Sequence, residues 1–318
     1  MNTSISINMD DQLIIDTLKS LQKQLTYTVL IFLFIIGNIG CILNTIIFLR
    51  PCLSSSSSSR YFLASSFANG FLLNIGLATH ILDVGFSIHP YHSLSILCKL
   101  RNYLINIGGF LSQTFLLLAC IDRYLISLNK SRYRSINTIP MANRIILFIT
   151  CFWLIFLSHM PIYSSISSRH HFCFFSSLSY SFFISLHNLI LSGFMLPILM
   201  VLFGLLTLKN IQRIRRQARS CRRRQRRYHY LSLMLISNVF VSVIFTLVYT
   251  TGLIYISFFI LTHDNISSPR QKVQNRFIAF VAIIFYYVPY SISFYVNILT
   301  SQHFRRELQK VLRLRKER

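Results

Sequence analysis

Long apolar runs separated by short, mostly basic polar stretches fill the chain. Seven runs stand out, at about 25–49, 61–82, 102–126, 144–163, 180–208, 231–261 and 277–299. A bilayer core of about 30 Å is crossed by a helix of roughly 20 apolar residues, and each run reaches that length. Lipid leaves backbone polar groups unsatisfied in anything but a helix or a closed barrel. Barrel strands would show alternating segments of about ten residues, and these runs do not alternate. The pattern predicts an all-α membrane protein, a seven-transmembrane helix bundle whose two chain ends lie on opposite sides of the membrane. The expected divisions are an N-terminal segment 1–24, the bundle 25–299 and a C-terminal segment 300–318.

Composition agrees. Of the 318 residues, 53% are hydrophobic and 13% charged, with mean hydropathy +0.54, too apolar for a soluble domain. A net charge of +24 would suggest nucleic acid in a soluble protein. Here the basic residues sit between apolar runs, so they point to anionic membrane lipid, at about 1 kcal/mol for each Lys or Arg. The run "RIRRQARSCRRRQRRY" (213–228) belongs to that class, and no nucleic-acid partner is expected. With the N-terminus outside, three quarters of the 32 Lys and Arg fall on the inner side, as the positive-inside rule requires.

The opening "MNTSISINMDDQ" shows neither a basic n-region nor an apolar h-region, so the first run is expected to serve as its own insertion signal. No lipidation motif is visible. N-x-Ser sequons at Asn2 and Asn265 fall outside and are the expected glycosylation sites, whereas the one at Asn129 falls inside. "SSSSSS" (54–59) is expected to form a short flexible inner loop.

The stretch "LLLACIDRYLISL" (116–128) places Asp122 and Arg123 at the inner end of the third run. Ionisable residues at such a depth cost several kcal/mol unless they have a function, a partner or a route to water. Arg123 lies 25 residues after Cys98, about 37 Å of helix at 1.5 Å per residue. Cys98 and Arg123 therefore mark opposite mouths of one helix.

Seven helices with Asp-Arg-Tyr in that register resemble a rhodopsin-like (class A) G-protein-coupled receptor over nearly the whole chain. "ACIDRYLIS" and the tail "LTSQHFRREL" look most like invertebrate peptide receptors of the FMRFamide-receptor type. The resemblance implies a non-enzymatic plasma-membrane protein without a cofactor. It would receive an extracellular ligand, expected to be a neuropeptide, and signal to a heterotrimeric G protein. It assigns the switch to Asp122, Arg123 and Tyr124. It pairs Cys98 with Cys173 on the oxidising side, leaving Cys41, Cys52, Cys120, Cys151 and Cys221 reduced. It also implies a short amphipathic eighth helix on the inner membrane surface, opening with Phe304, Arg305 and Arg306, with Phe304, Leu308, Val311 and Leu312 on one face.

Several positions depart from the family pattern. Helix two carries Asn69 where an Asp is usual; that Asp anchors a sodium ion in the resting state, so Asn69 puts sodium coupling in question. Helix six, "FTLVYTTG" around Val248, has neither the usual Trp nor the Pro. Helix seven reads "SFYVN", Ser293 to Asn297, in place of Asn-Pro-x-x-Tyr. Leu205 stands where helix five often has a Tyr. Such a receptor either switches differently or signals poorly.

Ile105 occupies the position of the amine-receptor Asp, and 277–299 contains no Lys for a Schiff base, so neither a monoamine nor retinal is expected. Asp83, His80, Arg101, Tyr249, Tyr255, Tyr286, Tyr287 and Tyr290 offer aromatic walls with a few charges, suited to a short peptide, although Tyr belts also mark membrane interfaces. Ser158 and His159 are adjacent and point to different faces, so they form no catalytic dyad. "HHFC" (170–173) is a single short cluster and no metal site is read from it. A multi-pass transporter is the alternative class; its repeated halves and broken helices are not evident.

Overall fold

The computed structural model describes residues 9–88, 95–128, 137–166, 173–175, 177–217, 222–263 and 268–316. Among them, seven helices are long and apolar enough to cross a membrane. They are α1 (Met9–Phe48), α2 (Ser57–Val84), α3 (Ser95–Ser127), α4 (Ile139–Phe156), α5, α6 (Arg222–His263) and α7 (Pro269–Thr300). Helix α5 joins Leu178–Asn188 to Leu196–Gln217 through a π-helical segment, Leu189–Met195. An eighth helix, α8 (Gln302–Lys316), follows one residue after α7. The chain is a multi-pass membrane protein of all-α class. Its N-terminal face carries Met9 and Cys98, and its C-terminal face carries Arg123 and α8.

The helices begin earlier than the apolar runs because polar residues can continue a helix that the runs only anchor. Helix α1 starts at Met9 rather than near 25, with Asp10 and Asp11 in its first turn, where carboxylates suit the helix dipole. Its extension packs beside α7, and Arg270 holds Asp11 at 3.0 Å. Helix α7 starts at Pro269 because Ser268 and Gln271 form a reciprocal capping box and Pro sits at the first helical position, both strong start signals. Further π segments occur at Thr26–Leu30 and Leu73–Leu77.

Where backbones approach closely, glycine makes room. A Cβ on Gly37 would lie 2.6 Å from Leu73 Cδ1 and 3.1 Å from Ser291 Cα, where α1, α2 and α7 meet. Beside it, Asn38 accepts from Asn74 Nδ2 at 2.7 Å, bridging α1 to α2. Trp153, on α4, stacks on Phe110 of α3 at 4.5 Å and donates to Thr114 Oγ1 at 3.1 Å. The outward faces are apolar: Phe67, Ile155 and Phe240 are each at least 60% exposed, as lipid-facing side chains must be.

Candidate functional site

At the C-terminal face Asp122 and Arg123 are both buried. Each meets a serine of the "SSSSSS" run. Ser58 Oγ donates to Asp122 Oδ2, and Arg123 Nη2 donates to Ser56 Oγ at 3.0 Å. That run is therefore not a flexible loop. Ser57, Ser58 and Ser59 are buried in the first turn of α2, because small hydroxyl side chains let α2 approach α3 while supplying the hydrogen bonds that a buried charge requires. Asn137 Nδ2 donates to the Asp122 carbonyl at 3.2 Å, tying in the start of α4. Tyr124 packs against Phe203 of α5, ring centroids 5.6 Å apart. Its carbonyl accepts from Ser127 Oγ, which in turn accepts from Asn210 Nδ2 of α5. Leu205 is exposed on the outside of α5, away from this site.

Asparagines join three helices just above. Asn238 Nδ2 on α6 donates to Asn297 Oδ1 on α7 at 2.7 Å, and Asn297 Nδ2 donates to Asn44 Oδ1 on α1 at 3.2 Å. Asn297 and Asn44 are almost wholly enclosed. Sequence reasoning noted Asn297 only as a departure and missed Asn44, Asn238, Ser56 and Ser58. Isolated Asn within apolar runs was the available signal. Helix α8 docks below, with Phe304 between Phe48 and Phe294 and the buried Glu307 bonded to Arg50 at 3.5 Å and Lys310 at 2.7 Å. Arg305 and Arg306 point outward. Leu308 packs against the core, whereas Leu312 is exposed.

Between α2, α3, α6 and α7 lies a cavity of about 30 Å³ whose lining includes Asn69, Ser112, Asn238, Tyr290 and Ser293. Asn69 Oδ1 accepts from Ser112 Oγ. No lining side chain is charged. The sodium ion implied by the resemblance does not fit this donor set, since a buried cation requires an anionic partner.

Toward the N-terminal face, Tyr249, Tyr286, Tyr287 and Tyr290 come together. Tyr286 lies 4.7 Å from Tyr249, 5.2 Å from Tyr287 and 5.3 Å from Tyr290, ring to ring. Gln113 Nε2 donates to Tyr290 OH at 3.3 Å and is itself held by Ser192 Oγ of α5 at 3.0 Å. The Tyr286 hydroxyl fills the place a side chain at Gly109 would take, and the Tyr287 hydroxyl lies 2.5 Å from where a Gly76 Cβ would be. Ile105 packs against this cluster. Val248 is exposed, so Tyr249 is the inward residue on that turn of α6. Tyr255 is exposed and pairs with Phe259, outside the cluster. Asp83 stands on the last turn of α2, Arg101 Nε donates to Thr79 Oγ1 at 2.9 Å, and His80 meets Phe280.

Cys98 is fully buried, with Sγ 3.6 Å from the Ser165 carbonyl oxygen. Ser165 belongs to β1 (Ser164–Ile166), which pairs antiparallel with β2 (Cys173–Phe175), Cys173 opposite Ile166. Cys41, Cys120 and Cys151 are free thiols. Asn2, Asn129 and Asn265 lie outside the described residues.

A seven-helix membrane bundle with a buried acid–base pair at one face and an aromatic cluster toward the other has the form of a signal receptor rather than an enzyme. A sequence model described as 7 transmembrane receptor (rhodopsin family) matches residues 45–291, and the chain belongs to that family. A comparison with curated proteins finds no match.

Proposed function

We propose that the chain transmits an extracellular signal, carried by a short peptide, to a cytoplasmic heterotrimeric G protein across the plasma membrane. The observation that carries this reading is the seat of Arg123: a buried cation at the C-terminal end of α3, held by Ser56 beside an acid held by Ser58. Parting the Ser56 contact from Arg123 would release a guanidinium into a cleft able to take a partner's C-terminal tail. In this orientation the N-terminal face is extracellular, and Asn2 and Asn265 are its glycan acceptors. Cys98 and Cys173 form the disulfide that staples the β1–β2 hairpin to α3, a pairing supported by the register that places Cys173 beside the Ser165 contact of Cys98. The peptide class is supported by the tyrosine cluster with Ile105, where an amine would find no carboxylate.

The test is a peptide-library screen in cells carrying biosensors for several G proteins, repeated with Arg123→Ala. A peptide that raises nucleotide exchange with the parent chain and not with Arg123→Ala supports the proposal. Substrate flux in vesicles without nucleotide exchange would instead favour a transporter.

A further inference from the structure

We propose that the cavity between α2, α3, α6 and α7 is a water site from which Asn69 excludes cations, so that sodium does not stabilise this bundle. Three observations carry this. First, Asn69 presents a neutral amide whose oxygen already accepts from the Ser112 hydroxyl, so this wall carries no negative charge to balance a cation and one of the oxygen's two lone pairs is engaged. Second, the remaining polar lining consists of hydroxyls and amides, with Ser65, Ser242 and Ser293 among them. Such groups both give and accept hydrogen bonds, which suits water, whereas an unpaired cation in a low-dielectric interior is strongly disfavoured. Third, the volume of about 30 Å³ accommodates about two waters at 10–15 Å³ each.

The cavity also has polar neighbours at both ends. Tyr290 reaches Gln113 on one side and Asn238 reaches Asn297 on the other. Water there completes a neutral polar path from the tyrosine cluster to the asparagines. Asp122, the nearest acid toward the C-terminal face on α3, is already engaged by Ser58 and contributes no oxygen to the lining.

The experiment is thermal unfolding of the purified full-length chain in equal concentrations of sodium chloride and choline chloride. Neither ligand nor G protein enters, so the outcome is independent of the signalling proposal. The parent chain is expected to unfold at the same temperature in both salts. Asn69→Asp, which places a carboxylate on the cavity wall, is expected to unfold at least ~2 °C higher in sodium, because a ligand that binds only the folded state raises Tm. Should Asn69→Asp not fold, Ser112→Asp puts the same charge on the facing wall. A sodium-dependent rise in the parent chain overturns the proposal, as does a folded carboxylate variant indifferent to sodium.

Discussion

The Ser58 hydroxyl donates to the Asp122 carboxylate across the contact between α2 and α3, while two residues away Ser56 accepts from Arg123. The acid and base of one helix are thus each held by a serine of its neighbour. No carboxylate occurs between Lys209 and Tyr230 to meet Arg123 from the start of α6. On the proposed signalling role, the serine contacts are a restraint on the resting state.

Removing that restraint should raise ligand-free signalling. Asp122→Asn and Ser58→Ala should each increase basal G-protein turnover by under about tenfold, or ~1.4 kcal/mol, and the double variant should add little, because both break one contact. Arg123→Ala should abolish coupling while leaving surface expression intact. Turnover at matched surface levels checks all four; normal signalling by Arg123→Ala would reduce the pair to a membrane anchor.

The bond from Asn238 to Asn297 ties α6 to α7. Asn238→Leu leaves the enclosed Asn297 oxygen without its donor, at a cost of about 1–3 kcal/mol. Thermal unfolding should fall accordingly, and basal turnover should rise because α6 is less restrained. Unchanged basal turnover in a destabilised variant would make the asparagines a packing device only.

The proposed staple is checked with Cys98→Ser, Cys173→Ser and the double variant. Each single change should reduce surface delivery and ligand binding, and the double should be no worse than either, since one bond is lost in all three. Non-reducing peptide mapping that finds both thiols free would end the idea.

Glycan mapping tests orientation. Asn2 and Asn265 should carry sugar and Asn129 should not. A glycan on Asn129 would reverse the sidedness on which the signalling proposal depends.

Glu307 gives α8 a pH-dependent anchor. Burial raises its pKa, but the Lys310 hydrogen bond and the charges of Lys310, Arg50 and His303 outweigh this, and the carboxyl titrates below the usual Glu range. A carboxylate depressed in the folded state stabilises above its unfolded pKa, and that contribution is lost as pH falls through the lowered folded value. Docking of α8, followed by a fluorophore on the helix, should therefore loosen on acidification below the ordinary Glu range. Glu307→Gln should be looser at neutral pH and show no such transition.

The count of membrane helices, their order and the register of Asp122 and Arg123 were legible in the sequence. Lipid admits few backbone solutions, and apolar length reports each crossing directly. The helix ends were not read from the runs: α1 reaches Met9 through an amphipathic extension, and α7 starts at Pro269 through a capping box. Both signals are polar and local, invisible to a measure of apolar length. Partners were decided by the tertiary structure alone. A run of six serines reads as flexible until α3 brings Asp122 and Arg123 against it. Asn44, Asn238 and Asn297 are separate interruptions of apolar runs until packing aligns them. A hydrogen bond between helices depends on rotation and approach of both, which close contacts at glycines such as Gly37 and Gly109 determine, and no single helix encodes that about its neighbour.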